Sequence, residues 1–367
     1  MAKLLDLPQE VLEIIFDYLI RSDCQDIEGM GSKDKVRISV LTNLRLHPER
    51  INRLNCRKLL ISDLWYGGRE NQKVPSRMLS SFTMLDMLLE LFSDTVTELE
   101  LELVHCLGFP RRTVEIVGQV KNLQVLRIGL KPLWFTDDSS NMQSADRCHN
   151  HDSESLRSLL MATQQLVCLD LSELPLNLLP TFGRRFYLNP ALRISRIDIK
   201  IEPDETPLQQ LIDLCIGLKS SLKVLSIQSV IYDGRRLLPL FELLKDTLEG
   251  LFISHNCTLT HILDFNFPRL RVFRVNYWNK CIGQFLNRKM FTEAPLQVLA
   301  LYSHTVSRRR IFFWGDPFVN LRSLKKLVFL HARLDEKPPV AYLKACQAHQ
   351  VQCVYLSHSK TSEIMKL

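Results

Sequence analysis

"LKVLSIQS", residues Leu222 to Ser229, sets apolar side chains in the spacing L-x-x-L-x-L, and this spacing decides the fold. The same spacing recurs down the chain, and successive copies begin 22 to 28 residues apart in eight of nine intervals. Regular recurrence at this period is the signature of a repeat protein. The ten copies begin at Val96, Leu123, Leu166, Ile194, Leu222, Leu248, Leu270, Leu296, Leu324 and Val351.

Each copy predicts a short strand whose apolar side chains point to one side at a period of two. A helical or irregular return segment, such as residues 237–245, then closes the unit. No unit can bury its apolar side alone, so neighbours must stack. The pattern resembles the leucine-rich repeat, which implies an α/β solenoid with a parallel sheet. The Asn or Cys that usually follows the last leucine appears only as Asn256, so we expect irregular repeats.

The repeats also predict the domain boundaries. "CRKLLI", Cys56 to Ile61, fits the same template and would add an eleventh unit to the ten. We therefore assign residues 55–367 to the repeat array and residues 1–54 to a separate helical region. The longest interval, of 43 residues, holds a polar stretch near 135–155 that predicts an inserted loop.

Composition and charge limit the classes of protein to which the chain can belong. The chain has 367 residues, a net charge of +7 and ten cysteines, none of them in a C-x-x-C pair. Scattered cysteines in apolar segments favour reduced thiols in a cytoplasmic or nuclear protein. Acidic residues interrupt the apolar N-terminal run, which argues against a secretory signal, and no long uncharged apolar stretch predicts a membrane span. The charge is too small and too dispersed for a nucleic-acid-binding arm.

The N-terminal stretch "LPQEVLEIIFDYL", residues 7–19, is more apolar than one packed face requires. On a helix its polar residues fall within an arc of about 100°, while the apolar residues spread over about 200°. Pro8 suits the first turn of a helix, where a backbone N–H has no partner in any case. One apolar side can pack on the protein itself, and the other is available to a partner.

This stretch resembles the first helix of an F-box, and the resemblance implies a partner. An F-box helix inserts against a Skp-type adaptor, which a cullin scaffold holds. With a leucine-rich array behind it, the chain resembles the F-box/leucine-rich substrate receptors of ubiquitin ligases, which do no chemistry themselves. Residues 22–54 lack the tryptophan that an F-box usually carries, so the region looks abbreviated. The implied adaptor-binding residues are Leu7, Pro8, Val11, Leu12, Ile15, Phe16 and Leu19.

Residues between the inward leucines of each strand predict the target-binding surface. In the early repeats these positions are charged, and in the later repeats they turn aromatic. Aromatic side chains beside an arginine are typical of interface hot spots. The candidates for target capture are Phe252, Arg274, Tyr302 and Tyr355. The alternative is that the end of the array or the C-terminal tail buries these residues.

No constellation of catalytic or metal-ligating residues is recognisable, so we expect a non-catalytic protein without a metal or cofactor. Four arginine clusters lie outside the strands and could form a ridge that attracts an acidic target. The alternative function is a leucine-rich scaffold outside any ligase, one that would associate with nucleic acid through this ridge. The clusters begin at Arg111, Arg184, Arg235 and Arg308.

Overall fold

The computed structural model divides the chain into two compact units, residues 1–174 with 178–180 and residues 175–177 with 181–367. Each unit combines α-helices with parallel strands that follow one another in chain order. The residues that the structure describes are 56–65, 82–104, 107–131, 149–176, 179, 192–201, 208–229, 234–277, 285–302, 316–331, 340–357 and 360–367.

The first unit alternates strands with helices. Strands β1, β2, β3 and β4 pair in that order, all parallel. In chain order the elements are β1 (Lys58–Trp65), α1 (Phe82–Phe92), β2 (Glu98–Val104), α2 (Arg111–Gln119), β3 (Val125–Lys131), α3 (His149–Ala162) and β4 (Cys168–Leu171).

The second unit holds seven parallel strands in its described residues, again paired in chain order. Its strands are β5 (Arg196–Ile201), β6 (Val224–Ser229), β7 (Gly250–His255), β8 (Val272–Tyr277), β9 (Val298–Tyr302), β10 (Lys326–Leu330) and β11 (Gln352–Leu356). Its α-helices are α4 (Gln209–Leu218), α5 (Leu238–Leu244), α6 (Lys289–Thr292), α7 (Val340–Ala348) and α8 (Thr361–Ile364).

One backbone hydrogen-bond pattern sets neighbouring repeats in register. The Ser195 carbonyl accepts from the N–H groups of both Lys223 and Val224, at 2.8 and 2.9 Å. The Lys223 carbonyl in turn accepts from Glu249 and Gly250 in the next repeat. The same pattern occurs in the first unit, where the Thr97 carbonyl accepts from the N–H groups of Gln124 and Val125. These bonds satisfy backbone groups where each strand begins, whatever the side chain, so the repeats can stay in register while their sequences vary.

The leucines of the motif form the core, as the repeat pattern predicts. Leu251 and Phe273 are fully buried on adjacent strands. The Phe273 ring meets the Phe291 ring of α6 edge-on at 5.0 Å, so this side of the strands packs against the connecting segments. Strands occur at all ten motifs, and β1 confirms that residues 56–61 also belong to the pattern.

Two details of the predicted array are wrong. The polar stretch near 135–155 is not a loop throughout, because α3 begins at His149 and continues to Ala162. Within that helix Leu156, Leu159 and Leu160 are fully buried, and their helical spacing explains why the chain folds there.

The second error concerns the register of β11. In other repeats the N–H of the first apolar residue donates to a carbonyl three or four residues back, as Leu248 does to Leu244 and Leu270 to Phe267. Val351 N–H instead reaches the Cys346 carbonyl, five residues back, because Gln350 adopts a left-handed backbone with φ 56°. The strand is therefore shifted by one residue, and Val354 rather than Tyr355 pairs with Val328. A shift of one residue exchanges the two faces of a strand.

Residues 1–54, with the predicted adaptor-binding helix, lie outside the described residues. In the described part of the chain, no helix combines the length and the apolar character needed to cross a membrane.

Candidate functional site

The side of the second unit's strands opposite Leu251 and Phe273 carries a second apolar cluster, which we call the covered face. Strand register aligns its side chains in rows, since Phe252 pairs with Arg274 and Arg274 pairs with Ala300. The last of that row in the cluster is Val328. The buried strand residues of the covered face are Val224, Phe252, Val272, Val298, Ala300, Val328 and Leu330.

Residues 360–367, the closing segment, lie on this face. Ile364 is fully buried within the cluster, and Met365 and Leu367 pack against it. Gly250 makes room for the segment, because a Cβ there would lie 2.5 Å from the Met365 Sδ. The Lys326 Nζ donates a hydrogen bond to the Leu367 backbone oxygen at 2.7 Å. Apolar packing and a charge-assisted hydrogen bond thus hold the segment at separate points.

Phe252 and Arg274 lie together, as predicted, but both are buried. Phe252 is 0% exposed and Arg274 is 9% exposed. The Arg274 guanidinium lies over the Phe252 ring, 5.2 Å from its centre, which is a cation–π arrangement. Burial lowers the pKa of Arg274 to about 10, with Asp198 opposing the shift and Arg196 adding to it. Phe252 therefore contributes packing rather than an accessible anchor while the closing segment is in place.

Tyr302 and Tyr355 occupy different surroundings. Tyr302 follows Ala300 on β9, is half-buried and packs against the covered face, with the His331 ring 4.7 Å away. Tyr355 is 51% exposed and stacks on Phe329 at 5.5 Å. The shifted register of β11 puts Tyr355 in the row of Phe329, so the prediction that it shares a face with Phe252 is wrong.

The corresponding strand positions of the first unit form an ion-pair network instead. Arg127 lies 3.0 Å from Glu98 and 3.4 Å from Asp170, and Lys58 lies 2.8 Å from Glu100. Burial lowers the pKa of Arg127, but the hydrogen bond and charge of Glu98, with the other acids, outweigh burial and raise it overall. The early strand positions are charged, as the sequence indicated, whereas the later positions on the covered face are mainly aliphatic rather than aromatic.

Two of the four arginine clusters of the predicted ridge lie within the described residues. Arg111 pairs with Glu115 at 2.9 Å and Arg112 with Glu90 at 3.1 Å, both on the surface of the first unit. Arg235 and Arg236 lie in a 3₁₀ turn of the second unit. The clusters beginning at Arg184 and Arg308 lie outside the described residues.

The adaptor-binding candidates Leu7, Pro8, Val11, Leu12, Ile15, Phe16 and Leu19 also lie outside the described residues, so their role stays a prediction. Burial beneath the C-terminal tail was the alternative that the sequence left open, and the structure bears it out for Phe252, although the sequence did not identify the closing segment as the occupant. Its signal was present in "TSEIMKL", where Ile364, Met365 and Leu367 form an apolar set beyond the last repeat motif.

No protein-family model matches the chain. No curated protein matches it either. Among solved structures, it is similar to a chain in the crystal structure of the Rad7 and Elc1 complex in yeast, with 14% identity and a TM-score of 0.35. The similarity covers 95% of this chain and 81% of that one. A likeness this weak carries no conclusion about what the present chain binds.

Proposed function

We propose that the protein is the target-binding subunit of an SCF-type ubiquitin ligase. The observation that carries the proposal is the order of two features along the chain. A 13-residue stretch with the F-box pattern, residues 7–19, precedes leucine-rich repeats whose strands pair in parallel. The first feature provides a surface for a Skp-type adaptor, which a cullin scaffold holds, and the second provides a surface for a target.

In this role the chain contributes position and no chemistry. A receptor holds a target lysine near an activated ubiquitin, and proximity alone can supply a large part of the rate. Stacked repeats suit this task because each strand adds one side chain to a row, as Phe252, Arg274 and Ala300 do. Rows built from several repeats can match an extended partner surface.

The adaptor half of the proposal is tested at the N-terminal helix. Leu7 and Pro8 begin the pattern, so replacing both with Ala should abolish co-purification of the adaptor and the cullin with the full chain. A matched control replaces Gln9 and Glu13, which the sequence pattern puts on the polar side of the predicted helix, with Ala. The control should retain the adaptor, and both variants should show the thermal unfolding of the wild type.

The comparison between the two double variants decides the proposal. Undiminished adaptor binding by the Leu7 and Pro8 variant would refute it. Equal loss in both variants would indicate a general disturbance of the helix rather than loss of an adaptor contact, and would count against it too.

The alternative, a scaffold outside any ligase that binds nucleic acid through arginines, has no specific observation in its favour among the described residues. Arg111 and Arg112 already face acidic partners there. Surface ion pairs of this kind reduce the charge available to a polyanion. A pulldown that recovers nucleic acid but no adaptor would favour the scaffold.

A further inference from the structure

The closing segment is seated on the covered face as a bound peptide would be. Ile364 fills an apolar position among strand side chains, Met365 lies against the gap left by Gly250, and Lys326 donates to a backbone oxygen. An apolar anchor, a notch without a side chain and a cation at a backbone oxygen are three separate recognition elements.

The segment is also attached more lightly than the strands that it covers. It consists of eight described residues, and its helix, Thr361–Ile364, is a single turn. Ile364 and Thr361 are its buried residues, whereas Ser362, Glu363 and Lys366 are exposed. The strands, by contrast, are held from the other side by fully buried residues such as Leu251, Leu299 and Leu327. Removing the segment would therefore uncover the face without removing the core on the opposite side of the strands.

We propose that the covered face is a peptide-binding surface and that the closing segment is its resident occupant. The partner is a protein segment with apolar side chains at positions i, i+1 and i+3, the spacing of Ile364, Met365 and Leu367, and with a backbone or terminal carboxylate oxygen for Lys326. Such a partner competes with the closing segment, so binding is coupled to its release. The identification of this partner as the ligase target rests on the proposed function; the existence of the surface does not.

Neighbouring groups favour this class of peptide over others. The face is apolar from Val224 to Leu330; Lys326 and Arg274 lie beside it, and the ion pair of Arg196 with Asp198 lies close to Arg274. Phe252 belongs to the same cluster as Ile364, and the Arg274 guanidinium lies over its ring, so release of the segment would uncover an aromatic side chain beside a cation. Aromatic residues and arginine are the commonest hot-spot residues at interfaces. Of the candidates for target capture, Phe252 thus becomes available only when the segment leaves, whereas Tyr355 is already half exposed on the other face.

Exchange of the segment tests the inference. A specific protease site is inserted between Ser357 and Lys360 in the full chain, the folded protein is cut, and a fluorescent peptide of residues 360–367 is added in excess. We expect the labelled peptide to replace the resident segment, as seen by anisotropy. A peptide with Glu in place of Ile364 should bind at least tenfold more weakly, whereas one with Gln in place of the exposed Glu363 should bind like the wild type.

A second form of the protein needs no cleavage. The full-length variant Ile364→Glu places a charge where the cluster is apolar, so it should release its own segment and bind the wild-type labelled peptide at least tenfold more tightly than the unmodified chain does. A cut protein that unfolds, or that keeps its own segment against excess peptide, would show that residues 360–367 are an integral part of the core and would overturn the inference. Neither assay contains an adaptor, so the peptide surface and the ligase function are tested separately. Peptide exchange in a protein that binds no adaptor would refute the ligase function alone. Adaptor binding by a protein that shows no peptide exchange would refute the peptide surface alone.

Discussion

Replacing Phe252 with Ala is the sharpest test of the covered face, since this residue was the first candidate for target capture and proves to be fully buried. Truncation of a buried phenylalanine typically costs about 3–5 kcal/mol. The partly buried Met365 lies close to Gly250 and Phe252 and can move into the space, so we expect a value near the lower end, about 3 kcal/mol, for a site that can partly collapse. For a cooperative unit of 150–250 residues this corresponds to a fall in Tm of roughly 6–12 °C.

The assay is thermal unfolding of the full chain followed by circular dichroism, with two controls. Phe252→Leu keeps most of the apolar volume and should lose less than half as much stability. Tyr355→Ala removes a side chain that is half exposed on the other side of β11, so we expect a change of about 0.5 kcal/mol or less. A Tm for Phe252→Ala within 2 °C of the wild type, or a larger loss for Tyr355→Ala, would refute the burial of Phe252 beneath the closing segment.

Two further predictions concern Asp86, which links α1 to α2 in the first unit. The buried Thr113 Oγ1 donates to the Asp86 Oδ1 at 2.7 Å. Thr113→Val removes that donor and should lower the free energy of unfolding in urea by about 1–3 kcal/mol. Thr113→Ser keeps the hydroxyl and should lose much less stability, and equal losses in the two variants would contradict a role for the hydrogen bond. Burial raises the pKa of Asp86 above its ordinary value of 3.8, against the opposing effects of Thr113 and Arg112, so the folded protein binds this proton more tightly than the unfolded chain. The contribution of Asp86 to stability is then present below pH 3.8 and is lost as the pH rises through its raised pKa. The stability of Asp86→Asn relative to the wild type should therefore increase over that interval in urea titrations at stepped pH, and a flat difference would show that the carboxyl ionises as it does in the unfolded chain.

The repeat pattern predicted the strands because the same physical demand recurs in each unit. Leu225, Leu251 and Leu299 must all be buried between strands and connecting segments, so selection for apolar side chains leaves a periodic trace. The first part of α3, residues 149–155, was predicted as the end of a loop, because it is polar and the buried leucines of the helix come later.

The candidate site was predicted in part. Phe252, Arg274 and Tyr302 do lie on neighbouring strands, because parallel strands in register align equivalent positions. Tyr355 does not share their face, since one left-handed residue, Gln350, shifts the last strand. The sequence offers no sign of that conformation, because glutamine carries no preference for positive φ.

The sequence by itself determined that this chain repeats, where each strand falls, and, for the strands before β11, which residues face the core. These properties follow from local spacing and from the burial of apolar side chains, and both are written in consecutive residues. Only the tertiary structure decided that residues 360–367 return to the strands of β7 to β10 and cover Phe252. That choice depends on matching Ile364, Met365 and Lys326 across a long separation in the chain, where no periodicity records the pairing. The sequence thus placed Phe252 and Arg274 at equivalent positions of neighbouring strands, whereas the fold decided that the closing segment covers Phe252.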